Sequence, residues 1–181
     1  NNGNWQTARR WARMLGAAYR VRLAAAWDGG EEALMLALHA RRSADSVARW
    51  RALRGSAPLI VALTGTDLYH DIADDAAAQA SLHRADRLIV LNELGVAALP
   101  EAQRFKAGVV LQSCAARRSA VKPQRCLRAL MVGHLRAEKS PATFFAAARL
   151  LSHRRDILLD HIGAALDPVL GAHASALMAE C

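Results

Sequence analysis

Pro58-Leu59-Ile60-Val61-Ala62-Leu63-Thr64-Gly65-Thr66-Asp67 changes character at a single point. Up to Leu63 it is apolar and β-branched. After Leu63 come two hydroxyls, a glycine and a carboxylate. A run this short and this apolar suits a strand buried on both faces, as in a parallel sheet. The same change recurs on either side. Upstream, residues 34–39 are apolar and end in Ala40-Arg41-Arg42-Ser43, where Ser43 or Asp45 can open a helix carrying Val47, Trp50 and Leu53 on its packed face. Downstream, an Ala-rich helical stretch over residues 73–83 leads to an apolar run at 87–91, ended by Asn92-Glu93. Another run, at 109–111, is ended by Gln112-Ser113. Apolar strands alternating with amphipathic helices predict a parallel α/β sheet covered on both faces, with right-handed crossovers.

Further out, Asn4 is placed to cap a helix over residues 5–17, with Trp5, Ala8, Trp11, Ala12 and Leu15 on one face and Arg9, Arg10 and Arg13 on the other. Residues 19–26 alternate Val21 and Leu23 with Arg20 and Arg22, which predicts a half-buried strand near a sheet edge. A helix opening on a Gly/Asn loop also leads one to expect a strand ahead of it. Between residues 114 and 124 the periodicity lapses into Ala, Arg, Ser, Lys and Pro, a linker composition. A second β-α-β-α series then follows, with strands at 126–132 and 157–162 and helices from 141 and toward 181. The expected organisation is a Rossmann-like domain over 1–113 lacking its first strand, a linker over 114–124, and the start of a second Rossmann-like domain over 125–181. Two strands and two helices are few for such a domain, so a truncated second domain is expected.

Composition narrows the function. The formal charge is +8, yet Arg outnumbers Lys 21 to 3 beside forty Ala, a codon-bias pattern, and the Arg residues are scattered. Aromatics make up only 5%, too few for base-stacking platforms, so no nucleic-acid partner is expected. No apolar run approaches the roughly 20 residues that span a bilayer. Cys114, Cys126 and Cys181 are far apart, without a CxxC pair or a histidine at zinc-like spacing, which suits reduced thiols in the cytoplasm and no metal site.

Ligands of open parallel sheets bind beyond the carboxyl ends of the strands. That rule selects His39 and Arg41, the Thr64-Gly65-Thr66-Asp67 turn, Asn92, and Gly133-His134-Leu135-Arg136-Ala137-Glu138-Lys139. A histidine beside a guanidinium suits a phosphorylated ligand. Arg136 and Lys139, ahead of a helix N-terminus, suit a diphosphate. The opening Asn2-Gly3-Asn4 can offer backbone N–H groups to an anion, although it lacks the spacing of either a Walker or a dinucleotide loop.

The segment 132–139 resembles the Val-Gly-Arg-Leu…Lys-Gly element of retaining GT-B glycosyltransferases, in which a basic pair holds the leaving diphosphate of a sugar nucleotide. His134 stands in place of its Arg and Ser140 in place of its Gly. Three further segments, in order, resemble the selenosugar synthases of bacterial selenoneine biosynthesis: Asn2-Gly3-Asn4-Trp5-Gln6-Thr7-Ala8, Leu38-His39-Ala40-Arg41-Arg42-Ser43 and Leu63-Thr64-Gly65-Thr66-Asp67-Leu68-Tyr69. The resemblance implies a GT-B fold, with two Rossmann-like domains facing across a cleft, and an enzyme without a cofactor. Its donor would be a UDP-sugar (UDP-N-acetylglucosamine or UDP-glucose), its nucleophile selenophosphate and its product a 1-seleno sugar. It also implies functional links to a selenophosphate-producing enzyme and a selenoneine synthase. Arg136 and Lys139 would stabilise departing UDP, while the Asn-rich loop, Arg41 and the 64–67 turn would hold selenophosphate and sugar hydroxyls. An ordinary GT-B transferase with a hydroxyl acceptor would instead need a general base, for which His39 and Asp67 are the candidates. A non-catalytic nucleotide-sugar or phosphate-binding module would bind without turnover.

Overall fold

The computed structural model of the chain describes residues 3–116, 118–119, 121 and 124–180. The fold is mixed α/β and divides into two compact units, residues 1–115 and 116–181.

The first unit opens with α1 (Gly3–Leu15), continues through β1 (Met35–Leu38), α2 (Ala44–Arg54) and β2 (Leu59–Ala62), and then makes a π-helical turn at Asp67–Asp71. After it come α3 (Ile72–Asp74), α4 (Ala76–Arg84), β3 (Arg87–Val90), α5 (Leu94–Ala98), α6 (Glu101–Arg104) and β4 (Ala107–Val109). The four strands form one sheet in the order β1-β2-β3-β4, every pair parallel. Sequence order equals spatial order because each connection is a helical crossover that advances one place across the sheet.

The core lies where the sequence is most apolar. Leu59, Val61 and Ala62 of β2 are fully buried, with Val47 and Trp50 of α2 and Ala78 and Leu82 of α4 packed into the same core. Trp27 meets Trp50 edge to face at 5.1 Å. Both indole N–H groups are satisfied, Trp50 donating to the Ala57 carbonyl and Trp27 to Glu32, as buried tryptophans require. Asp75 caps α4 by accepting from Ala78 N at 2.8 Å. Lys106 closes the other end of that helix, its ammonium donating to the Leu82, His83 and Ala85 carbonyls.

Several local expectations are corrected. Residues 20–26 form no strand, and Arg22 is drawn instead onto the carboxylates of Asp28 and Glu32. Asn4 does not cap α1 but lies within it, since the helix already begins at Gly3. The helix expected over 73–83 is interrupted at Asp75, which caps α4 from an extended conformation. The fourth strand lies two residues earlier than the apolar run at 109–111, because Ala107 pairs with Leu88, while Val110 and Leu111 are exposed. Leu53 faces solvent rather than the core.

The second unit contains β5 (Leu127–Val132), a 3-10 turn (Ala137–Lys139), α7 (Pro141–Leu151), β6 (Ile157–Ile162) and α8 (Pro168–Glu180). The two strands pair in parallel in full register, from Leu127 against Ile157 to Val132 against Ile162. Leu135, Phe145 and Leu177 form a small core. The opposite sheet face leaves Leu130, Val132 and Ile162 exposed. Among the described residues no helix is long and apolar enough to cross a membrane.

Core and surface positions of one helix should separate cleanly. Trp50→Ala should destabilise the chain by about 3–5 kcal/mol. Leu53→Ala, on the same helix but 64% exposed, should change stability by less than about 0.5 kcal/mol. Urea denaturation of the two variants measures the contrast.

Candidate functional site

In the first unit the strand-end residues selected from sequence are organised by one buried carboxylate. Gly65, at φ +125°, swings the chain out of β2 in a conformation that L side chains avoid, and the π-helical turn starts two residues later. This returns Asp67 beneath the strand ends, where it is fully buried. Its Oδ1 accepts from Thr64 N at 2.8 Å and Gly65 N at 3.0 Å, and its Oδ2 accepts from Ala40 N at 2.9 Å. One side chain therefore ties the end of β2 to the end of β1. The Ala40 carbonyl is held in turn by the Ser81 hydroxyl at 2.8 Å.

His39 is the residue bent by this tie. It adopts φ +77°, a left-handed conformation that costs a non-glycine residue on the order of 1–3 kcal/mol. Its backbone is anchored at both ends, N–H to the Ala62 carbonyl and C=O to Ser43 N. The ring is only 3% exposed. Nδ1 accepts a long bond from Arg42 N at 3.5 Å and lies 3.8 Å from Asp67 Oδ2. Nε2 lies 3.8 Å from Asp71 Oδ2, and neither of those two buried atoms has a hydrogen-bond partner. Burial holds the imidazole below its ordinary basicity, and Arg42 and Arg41 act in the same direction against the opposing pull of Asp67 and Asp71. The ring is thus neutral, with its proton on Nε2, because Nδ1 accepts.

Asp71 is the functional residue that the strand-end rule missed. It follows Asp67 by four residues, so helical spacing was the signal that places both carboxylates on one face. Asp71 Oδ2 sits 3.2 Å from Arg41 Nε and anchors a guanidinium that remains half exposed. Thr64 is half-buried and Thr66 exposed beside it. Asn92, at the end of β3, uses its carbonyl oxygen to accept from Gly95 N at 2.9 Å, and its amide donates to the Tyr69 hydroxyl at 3.2 Å. The carboxyl ends of β1, β2 and β3 thus present Arg41, two threonine hydroxyls, Tyr69 and Asn92, while His39 and Asp67 lie beneath. Gly3 is exposed at the start of α1, and Asn4 lines a cavity of about 360 Å³ together with Arg42 and Ser43. Asn2 lies outside the described residues.

In the second unit, β5 ends at Gly133, with φ +156°. Two features press this turn against the end of β6. A Cβ on Gly163 would collide with the Gly133 carbonyl, and His161 Nε2 donates to that carbonyl at 2.8 Å. His134 Nδ1 accepts from Ala164 N at 3.0 Å, and Leu135 turns into the core. The chain then emerges at Arg136, makes the 3-10 turn and enters α7 through Ser140, which holds φ +49°. Where the resembling element has glycine, serine here adopts the left-handed conformation that glycine reaches without cost. The aliphatic stem of Lys139 lies over Gly133, about 3.5 Å from where a Cβ would stand. Arg136 and Lys139 are exposed and form no ion pair with any described side chain. Gly133, Arg136 and Lys139 therefore share one loop, as expected from their spacing.

No family model and no curated protein matches the chain. Among solved structures, it is similar to a chain of the accessory secretory protein 1, 2 and 3 structure from Streptococcus pneumoniae, with a TM-score of 0.37 and 12% identity, over 99% of this chain and 35% of that one. The present chain thus spans about a third of that neighbour's length. Similarity at this level assigns no activity.

Two outcomes follow from this geometry. Asp67→Ala strands three backbone N–H groups and should destabilise the fold by at least about 2 kcal/mol. Asp67→Asn, which keeps one acceptor oxygen, should recover part of that in thermal unfolding. The second outcome concerns pH. With the folded-state His39 held below 6.5, the unfolded chain binds this proton more readily. Stability is then full above the ordinary imidazole value and declines as the pH falls through it, by up to about 1.4 kcal/mol per pH unit. His39→Asn should flatten that decline in unfolding curves taken between about pH 8 and pH 5.

Proposed function

We propose that this chain belongs to a GT-B-type, UDP-sugar-dependent transferase that forms a carbon–selenium bond. In this reading the first unit takes selenophosphate and the second takes the diphosphate of UDP-N-acetylglucosamine or UDP-glucose, as two Rossmann-like domains facing a shared cleft would. The observation that carries the donor half is the loop of Gly133, Arg136 and Lys139. It offers two unpaired cations ahead of the N-terminus of α7, and a diphosphate has charge enough for both.

The acceptor half is supported by the burial of both candidate bases. His39 is 3% exposed and Asp67 is spent on three backbone amides. A hydroxyl acceptor needs a base within reach of its proton. A selenium nucleophile is already an anion and needs none. Its lone pair forms the C1–Se bond as the C1–O bond breaks, and that bonding pair leaves with UDP. Transfer of the phosphoryl group to water then frees the 1-seleno sugar. The protein supplies position and charge. Arg41, fixed on Asp71, faces the acceptor phosphate, with the Thr64 and Thr66 hydroxyls beside it. Arg136 and Lys139 meet the charge that grows on departing UDP. Such an enzyme would act between a selenophosphate-producing enzyme and a selenoneine synthase.

Full-length protein incubated with either UDP-sugar and selenophosphate should release UDP and yield a 1-seleno sugar detectable by mass spectrometry. Turnover with hydroxyl acceptors alone would overturn the selenium assignment, and UDP binding without turnover would leave a binding module. Arg136→Ala and Lys139→Ala should each cost about 2–5 kcal/mol of transition-state binding, visible in kcat as well as in KM. Wild-type kcat and wild-type UDP affinity in both variants would withdraw the donor-site assignment.

A further inference from the structure

The outer edge of β1 carries a groove that the proposed chemistry does not use. In a parallel pair alternate residues bond to the neighbouring strand. The Met35 and His39 amides donate to the Pro58 and Ala62 carbonyls of the β2 side, which turns Leu36 and Leu38 outward. Of their four backbone groups only the Leu38 carbonyl has a partner among the described residues, the Ser43 hydroxyl at 2.8 Å. Both residues are half-buried, so two N–H groups and a carbonyl are partly withdrawn from water without compensation.

Those groups face the cavity of about 360 Å³. Its inner wall is β1 along its whole length, its far wall is residues 22–27, and Asn4, Trp5 and Ala8 of α1 also line it. α1 buries no residue fully, although its inward side chains lie over this space. Residues 20–23 carry the alternation of an edge strand and have no strand to pair with.

We propose that this groove is a strand site, occupied in parallel with β1 by the residues that lead into Asn1 in the full-length chain. The position of α1 identifies the occupant and its direction. Asn4 lines the groove beside Arg42 and Ser43, which follow the carboxyl end of β1. Thr7 and Arg10 bond to Gln112 and Ser113, beyond the carboxyl end of β4. A chain that enters α1 here arrives at the end of the sheet where a strand parallel to β1 finishes. An antiparallel strand would finish at the opposite end. After α1 the chain returns to residues 23–26 on the far wall, as a right-handed crossover to the next parallel position requires. The sheet order becomes residues 20–26, the inserted strand, β1, β2, β3, β4. Residues 20–26 then gain the neighbour their pattern calls for, and the outward groups of Leu36 and Leu38 are satisfied.

Amide hydrogen exchange on the full-length protein tests this, with Ala37 as internal standard because its amide points to β2. The Leu36 and Leu38 amides should be protected to within about tenfold of Ala37, and residues 20–26 should show alternating protection. Removing the residues ahead of Asn1 should release Leu36 and Leu38 while Ala37 stays protected. Exchange at Leu36 and Leu38 orders of magnitude faster than at Ala37 in the full-length protein overturns the proposal. So does protection that survives the removal, protection that falls on dilution and so marks a second copy as the occupant, or a full-length chain with nothing ahead of Asn1.

Discussion

A single carboxylate, that of Asp67, holds three backbone N–H groups drawn from the ends of two adjacent strands. Parallel sheets end in unpaired amides, and a buried loop must place them somewhere. Here an ionised oxygen pair collects them, and charge-assisted bonds to backbone N–H are among the stronger bonds available. The left-handed turn at His39, the π-helical turn that returns Asp67 beneath the sheet, and the Ser81 bond to Ala40 all depend on that arrangement. So does the exposure of Arg41, because the same turn lifts it outward while Asp71, one helical turn after Asp67, fixes its guanidinium. A carboxylate used in this way is a structural part. The surface chemistry is left to the side chains around it.

The parallel sheet was legible because burial on both faces writes a local signal. Residues 59–62 and 87–90 are apolar almost without break, and residues 157–162 became β6 with no shift at either end. The loop of Gly133, Arg136 and Lys139 was legible for the same reason, since a strand end and a helix start bound it closely in sequence. What escaped depends on partners far along the chain. Asp67 reads as a turn residue with a free carboxylate until Ala40, 27 positions away, is brought to it. His39 reads as an accessible imidazole until the turn that buries it is known. Residues 20–26 have the alternation of a strand, and alternation specifies a face without supplying a neighbour to pair with. The break at Asp75 was hidden because Ala-rich sequence favours helix on both sides of it, and only the cap shows where one helix stops and the next begins.

The two units divide their chemistry differently. In the first, the anion-facing group is one guanidinium held by a buried acid, with neutral hydroxyls around it. In the second, two cations stand on a short loop with no described acid to hold them. A braced guanidinium is pre-oriented and loses little freedom on binding. Unbraced side chains lose more, and they gain more from a ligand with several negative oxygens. A compact phosphate suits the first arrangement, and an extended diphosphate suits the second.

The absence of side chains where Gly133 meets Gly163 has a mechanical meaning. With nothing between the two backbones, the turn after β5 and the turn after β6 form one solid joint, bolted by His161 to the Gly133 carbonyl and by the Ala164 amide to His134. The joint continues into α8. Asp167 N donates to the Leu135 carbonyl, and the Asp167 carboxylate accepts from Val169 N and Leu170 N at the head of that helix. Whatever pulls on the loop bearing Arg136 therefore pulls on the first turn of α8, with no compressible layer to absorb the displacement. The loop behaves as the short arm of a lever whose long arm is a thirteen-residue helix.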